Sequence, residues 1–324
     1  MKAAVYTRYG SPDVVQIVDI EKPVPKDDEV LLKVRAASVN PLDWRLLRGV
    51  PPIFRILFRL RKPTLTQPGR LGRDVAGQVE AVGRNVTRLK PGDEVFGWCH
   101  ASLAEFACAS ESALVTKPRS VTFEQAASVP VAALTALQGL RDKGQIQPGQ
   151  KILINGAAGG VGTFAVQIAK WLGAEVTGVC STRNVDMVRS IGADRVIDYT
   201  QEDFTKTGQR YDLILDCVGN HSLSACRRVL NPHGICAIAG APKNPGIFLI
   251  RFITGPVLSR LVSQKFVMFI AKLTKEDLTI MSELMETGKV KPVIDKRYSL
   301  SEVPEAIRYL EAGHARGKVV ITLG

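Results

Sequence analysis

The first third of the chain is a succession of short apolar runs broken by proline and glycine. Val30-Leu31-Leu32-Lys33-Val34 is one run, Val75 to Val82 another and Glu94 to Gly97 a third; Pro23, Pro25, Pro41, Gly83 and Pro91-Gly92 punctuate them. Runs of this length bounded by turn formers read as strands, and their irregular spacing predicts a barrel-like β domain. From about Thr122 the period changes. Glu124 to Leu140 reads as helix broken at Pro130, and strand-like runs then alternate with helical ones: Ile152–Ile154, Val176–Val179, Val196–Ile197, Leu213–Leu215 and Ile235–Ala239. That alternation predicts an α/β domain with a doubly wound parallel sheet, whose strand ends face a ligand. After Lys275, Glu276 to Thr287 reads as helix and leads into Val290 to Tyr298; a further helix starts at Ser301 and runs to about Ala312, and Lys318 to Thr322 is a last strand. The tail is expected to rejoin the N-terminal β domain. The chain then divides into residues 1–122 completed by 292–324, and residues 123–291 between them.

One segment gives the second domain its chemistry. Asn155-Gly156-Ala157-Ala158-Gly159-Gly160-Val161-Gly162 follows the apolar run Lys151 to Ile154 and opens a helical pattern with Val161, Phe164, Ala165, Ile168 and Leu172 on one face. A strand, a glycine-rich turn and a helix start are the parts of a pyrophosphate cradle. Small residues let backbone approach the phosphates, and the helix N-terminus offers N–H donors and the positive end of its dipole.

Charge and cysteine content narrow the class. The net charge of +12 is uneven: from Trp44 to Arg73 there are eight cations and no acid, and from Cys217 to Lys275 again no acid. Such a field attracts anions, a phosphorylated cofactor among them. No dedicated nucleic-acid site is expected, because no recognised nucleic-acid motif is present. The six cysteines form no CxxC pair and several lie in apolar runs, so buried reduced thiols are expected. No apolar run approaches the ~20 residues of a membrane-spanning helix. The opening residues Met1 to Tyr6 read as a strand instead of a signal-peptide core, and a cytoplasmic location is expected.

An ordered set of segments resembles the medium-chain dehydrogenase/reductases, in their quinone oxidoreductase (ζ-crystallin-like) branch. They are Ala37 to Asp43, Gly72 to Gly77, Lys90 to Gly97, Val129 to Ala136, Asn155 to Gly162, Gly192-Ala193-Asp194, Ile197-Asp198-Tyr199, Asp216 to Gly219 and Gly317 to Val320. The resemblance implies a chaperonin-10-like β-barrel catalytic domain, a central Rossmann domain, a cleft for nicotinamide and substrate, and a homodimer. Many members carry a catalytic zinc, which needs Cys, His or carboxylate ligands. Its ligand positions fall on Asn40, Arg73 and near Val131 here, and those side chains cannot rebuild it. Only Cys99 and Cys108 stand where a structural zinc lobe needs four cysteines, so no metal is expected.

The cofactor motif reads Ala157-x-Gly159-x-x-Gly162, with Ala158, Gly160 and Val161 completing the turn. NAD sites place an acid at the end of the next strand to hold the ribose 2′-hydroxyl. This chain has Cys180-Ser181-Thr182-Arg183-Asn184 there. Hydroxyls and a guanidinium suit a 2′-phosphate, which selects NADPH through Ser181, Thr182 and Arg183. By the resemblance, Tyr199 lies near the adenosine end and Lys318 adds a phosphate contact. Val218, Gly219, Ala239, Gly240 and Ala241 lie at strand ends where the nicotinamide half runs. Without a metal, the acceptor must already be electrophilic, as quinones and α,β-unsaturated carbonyls are. Asn40 and Thr135 are the catalytic candidates, orienting nicotinamide or acceptor by hydrogen bonds. Asp43 is expected to brace its loop, Asp74 to be structural, and solvent to supply the proton. The histidines at 100, 221, 233 and 314 sit in no catalytic motif.

The segment Pro51 to Pro63 is bounded by prolines, with Arg55, Arg59 and Lys62 on one helical face and an apolar face opposite. It suits a lid over a bulky, apolar acceptor, or a peripheral contact with an anionic membrane; an ordinary buried helix is the other reading. Ile247 to Ile270 suits a second cleft wall or a dimer contact. Two further readings stay open: a reductase of enoyl thioesters, and a non-catalytic NADPH- or RNA-binding protein.

Overall fold

Strand pairing in the first part of the chain is set by alternating burial along one long strand. In the computed structural model, which describes residues 1–49, 62–240 and 254–324, eight strands come first. They are β1 (Lys2–Tyr6), β2 (Val15–Asp19), β3 (Glu29–Val39), β4 (Gly69–Arg70), β5 (Asp74–Val82), β6 (Glu94–Trp98), β7 (Phe106–Ser110) and β8 (Leu114–Thr116). Two more, β15 (Ile294–Ser299) and β16 (Lys318–Thr322), return at the end of the chain. They follow β9 (Lys151–Asn155), β10 (Glu175–Cys180), β11 (Arg195–Asp198), β12 (Tyr211–Asp216), β13 (Leu230–Ile238) and β14 (Lys265–Met268).

The chain falls into two units, Met1–Val131 with Leu273–Gly288 and Pro292–Gly324, and Ala132–Lys272 with Lys289–Lys291. In the first, a seven-stranded sheet of order β15-β16-β3-β5-β6-β8 with β7 on β3 accompanies a three-stranded one of order β2-β1-β4. Val30, Leu32 and Val34 of β3 join Val75, Val79, Val95, Leu103, Val319 and Ile321 in one core. The register matters for function. β3 pairs antiparallel with β5 and β16, Ser38 opposite Asp74 on β5 and Val39 opposite Val319 on β16. The end of β3 therefore brings Asn40, Asp74 and Lys318 to one place, although they are far apart in sequence.

The second unit is a six-stranded sheet of order β11-β10-β9-β12-β13-β14, every pair parallel. Counted from β9, this is the 3-2-1-4-5-6 order of a Rossmann sheet, with its ligand-binding switch point between the first and fourth strands. Ile152, Leu153 and Ile154 of β9 are all buried. Successive apolar residues are what a parallel strand covered on both faces requires. Two glutamine amides tie distant backbone to this unit. Gln138 Nε2 donates to Lys272 O at 2.6 Å while its Oε1 accepts from Lys272 N at 2.9 Å. Gln167 makes the same pair with Lys291, at 3.0 and 2.8 Å.

The α/β class and the return of the tail are as the sequence pattern predicts. The division of the chain is corrected at two places: residues 123–131 and the helix Lys275–Glu286 belong to the first unit. Ser282 Oγ of that helix donates to Thr116 O at 3.4 Å, and Ser120 Oγ donates to Glu286 Oε2 at 2.7 Å. The change of period at Thr122 marks where helices begin, whereas the boundary follows packing. The segment 51–63, read as a lid, falls on residues 50–61 and so lies almost wholly outside the described residues, as do Ala241 and the first part of Ile247 to Ile270. No helix among the described residues is long and apolar enough to cross a membrane.

Candidate active site

Parallel strands put their carboxyl ends on one edge, and the second unit gathers its candidate residues there. β9 ends at Asn155 and turns through Gly156, whose φ of +87° only glycine adopts without strain. Gly159 caps the helix Gly160–Trp171 with no side-chain acceptor. Its absent Cβ would have a single neighbour, Gly156 O at 3.4 Å, so a side chain there would project into open space. Gly162 is the opposite case: a Cβ would stand 2.1 Å from Gly156 O and 2.7 Å from Ala157 Cα. One glycine lets the helix close on the turn, and the other leaves the face of the turn bare. Ala157 and Ala158 are buried, with Gly160, Val161 and Gly162 as the first helical turn. Exposed N–H groups at an uncapped helix start suit a pyrophosphate.

The neighbouring strand ends complete the edge. β10 is followed by Ser181, Thr182 and Arg183, with Ser181 Oγ accepting from Asn184 Nδ2 at 3.1 Å. Tyr199 follows β11, 58% exposed, its N–H donating to Cys180 O at 2.9 Å. β12 ends at Asp216, a buried carboxylate that sequence reasoning passed over. Its Oδ1 accepts from Asn155 Nδ2 at 2.9 Å, Val218 N at 3.1 Å and Gly219 N at 2.8 Å. Its backbone O accepts from Ala239 N and Gly240 N, both at 3.0 Å. One residue thus fixes the ends of three strands. The signal was an acid closing the apolar run Leu213 to Leu215. Val218 is left 41% exposed beside the Gly156 turn, an apolar surface among backbone amides. Thr135, in the second unit, sits half-buried in the helix Pro130–Gln138, and Asn40 belongs to the first unit.

In the first unit the cluster is built around Asp74, which is 0% exposed. Oδ2 accepts from Ser38 Oγ at 2.6 Å, Asn40 Nδ2 at 2.9 Å and Lys318 Nζ at 3.2 Å, and Oδ1 accepts from Val131 N at 3.0 Å. Lys318 Nζ also donates to Asn40 Oδ1 at 2.8 Å. The ammonium can only donate and the carboxylate only accept, so the Asn40 amide has one orientation. Asn40 precedes the helix Pro41–Arg48. Asp43 braces that loop: Oδ2 accepts from Asn40 N at 2.7 Å and Oδ1 from Gly72 N at 2.9 Å. Burial pushes the Asp43 carboxyl up to about 6, with the Asp74 charge in the same direction and the two N–H donors and Lys318 opposing. Lys318, read from the sequence as a phosphate contact, is 3% exposed and committed to Asn40 and Asp74. Its role is corrected to partner of a buried carboxylate, where β16 enters beside the end of β3.

This donor set does not fit zinc. Asn40 and Arg73, at expected ligand positions, and Val131, near the third, offer an amide, a guanidinium and an aliphatic side chain. The Asn40 amide and the Val131 N–H both point hydrogens at Asp74, and an ammonium already supplies the positive charge. Among the described residues no three His, Cys, Asp or Glu side chains are grouped to hold a metal. Burial pushes the Cys99 thiol up to about 12. His100, His233 and His314 are exposed, and His221 packs edge-on against Phe204.

Comparison with known proteins agrees with this geometry. The alcohol dehydrogenase GroES-like domain matches residues 26–137, and the domain described as zinc-binding dehydrogenase matches residues 191–321. The chain is 34% identical to the chloroplast envelope quinone oxidoreductase homolog of Arabidopsis thaliana, over 99% of this chain and 98% of that one. The chain belongs to the quinone oxidoreductase branch of the medium-chain dehydrogenase/reductases. It is also 35% identical to the NADPH-dependent alkenal/one oxidoreductase of the same plant, over 99% of this chain and 79% of that one. Among solved structures, the quinone oxidoreductase from Coxiella burnetii superposes with a TM-score of 0.86 at 30% identity, covering 100% of this chain and 99% of that one.

Two outcomes follow from the buried cluster. Lys318→Met leaves Asp74 without its counter-charge and is expected to cost about 3–5 kcal/mol of stability in urea unfolding; a loss under ~1 kcal/mol would contradict the ion-pair role. Asp43 titrates higher in the folded chain than its ordinary value of 3.8, so the folded state binds more protons than the unfolded one between roughly pH 4 and 6. Its contribution is therefore greatest at low pH and declines as pH rises through that window. The stability advantage of the native chain over Asp43→Asn is expected to shrink between those limits; an advantage that is constant or grows with pH would contradict the raised value.

Proposed function

We propose that the chain is an NADPH-dependent reductase that passes hydride to a quinone or an α,β-unsaturated carbonyl without a metal ion. The observation that carries this reading is the Asp74 cluster, in which the Asn40 amide, the Val131 N–H and the Lys318 ammonium all donate to one buried carboxylate. A site with no Lewis acid favours acceptors that are electrophilic by themselves. The bare turn from Gly156 to Gly162 holds the pyrophosphate through backbone N–H groups, and Ser181 and Arg183 receive the 2′-phosphate. Ser181 suits this because its hydroxyl accepts from Asn184 and keeps its own hydrogen to donate. Val218, Gly219, Ala239 and Gly240, fixed by Asp216, border the nicotinamide half. The chemistry supplied by bound NADPH is a hydride. Asn40, its amide fixed by Lys318 and Asp74, and Thr135 orient the reacting groups, and solvent supplies the proton. The two relatives whose names state quinone and alkenal/one reduction support the acceptor class.

The working form is a homodimer in this reading. Among the described residues β14 is the edge strand of its sheet, and Val257, Leu261 and Ile270 around it are exposed; an edge with apolar surroundings favours pairing. Sedimentation equilibrium reads the oligomeric state directly.

The activity is tested by following NADPH absorbance with an ortho-quinone, an enal, an enoyl thioester and a simple aldehyde, each with and without chelator. Chelator-resistant oxidation with quinone or enal and none with the aldehyde is the expected result. Activity confined to the aldehyde and lost with chelator would overturn the reading.

A further inference from the structure

The strand ends at the adenosine side hold an acid that the cofactor reading does not use. β10 and β11 run parallel with Cys180 opposite Asp198, so the Asp198 carboxyl group ends beside Thr182, which lies between Ser181 and Arg183 in the chain. Thr182 Oγ1 donates to Asp198 Oδ2 at 2.5 Å. Thr200 donates to Asp198 Oδ1 from its N–H at 3.0 Å and its hydroxyl at 2.8 Å. The two threonine hydroxyls lie 2.9 Å apart. A hydroxyl has one hydrogen. Thr182 has given its hydrogen to Asp198, so it offers a phosphate no donor, which corrects its expected part in the 2′-phosphate site. These bonds, Thr182 first, hold the Asp198 carboxyl below the usual carboxylate range, and it is ionised at neutral pH.

NAD sites in this fold carry their acid at the end of the second strand, where it accepts from the ribose 2′-hydroxyl. This chain has Cys180 and Ser181 at that point, and its acid one strand over, in register. A carboxylate has about four acceptor positions, and three donors occupy Asp198. One position remains for a 2′-hydroxyl, whereas a 2′-phosphate meets like charge.

We propose that Asp198 is the specificity-determining residue of the dinucleotide site, setting the preference between NADPH and NADH by opposing Arg183. Arg183 favours the phosphate, Asp198 favours the hydroxyl, and the native chain binds both dinucleotides. The proposal rests on the NADPH reading above and extends it to the choice of cofactor.

The test measures the dissociation constants of NADPH and NADH by nicotinamide fluorescence, with no acceptor present. Asp198→Asn keeps the acceptor for Thr200 and turns the other atom into a donor toward Thr182 Oγ1, while Asp198→Ala removes both sides, so a folding defect in the second leaves the first to decide; the Asp198→Asn and Thr182→Val double variant separates the lost charge from the freed Thr182 hydrogen. Both are expected to raise the affinity ratio of NADPH over NADH, by roughly fivefold for one charge a few ångströms away in water. Arg183→Ala is expected to lower the ratio, and Thr182→Val to leave it unchanged. An unchanged or lower ratio in Asp198→Asn would overturn the proposal. So would a ratio that falls in Thr182→Val, which would make that hydroxyl a phosphate ligand, or one that fails to fall in Arg183→Ala. A native chain that binds neither dinucleotide would overturn the cofactor reading and this proposal together; a native chain that binds NADPH while the ratio stays fixed in Asp198→Asn overturns the proposal alone.

Discussion

The second unit depends on how closely a helix can approach a turn. Gly162 leaves no room for a methyl group against Gly156 O and Ala157 Cα, so the helix Gly160–Trp171 packs onto the turn with backbone touching backbone. That contact aims the first N–H groups of the helix past the end of β9, at the point where the sheet reverses its winding. Asp216 secures the other side, holding the amides of Val218, Gly219, Ala239 and Gly240. The ligand edge is therefore mostly backbone, and its donors are positioned by strands whose own residues are apolar and buried. Electrostatic preorganisation of this kind has little conformational freedom left to lose when an anion arrives.

The first unit solves a different problem. A buried carboxylate, Asp74, needs compensation, since an isolated buried charge is strongly unfavourable. It receives four hydrogen bonds, one from the ammonium of Lys318. The same bonds set the Asn40 amide and join β3, β5 and β16, so one buried charge arrangement also closes the sheet. Asp43, tied to the same loop by Asn40 N and Gly72 N, makes the loop sensitive to protonation.

Much of this was legible in the sequence, for identifiable reasons. The alternation of apolar and helical runs from Ile152 to Ala239 encodes the sheet because parallel strands are covered on both faces. The glycine turn was legible because its neighbours on both sides were right. Residues whose role depends on partners far along the chain were harder to place. Lys318 sits in a segment that suggests a phosphate contact, and only the pairing of Val319 with Val39 shows that it faces Asn40. Thr182 reads as a phosphate ligand until β11 brings Asp198 beside it. The helix Lys275–Glu286 follows the Rossmann strands in sequence and belongs by packing to the other unit. Local pattern specifies the elements, while strand register decides which polar side chains meet.

In the proposed reading, the bare face of the Gly156–Gly162 turn seats the dinucleotide pyrophosphate. Gly159 tests it, because its φ of −82° suits any residue and its Cβ would touch nothing closer than Gly156 O at 3.4 Å. Gly159→Val should fold with an unchanged melting temperature and fill the seat, weakening NADPH binding by roughly a hundredfold or more as the charge-assisted N–H bonds are lost. A Gly159→Val protein that melts like the native chain and binds NADPH as tightly would place the pyrophosphate elsewhere and contradict the account.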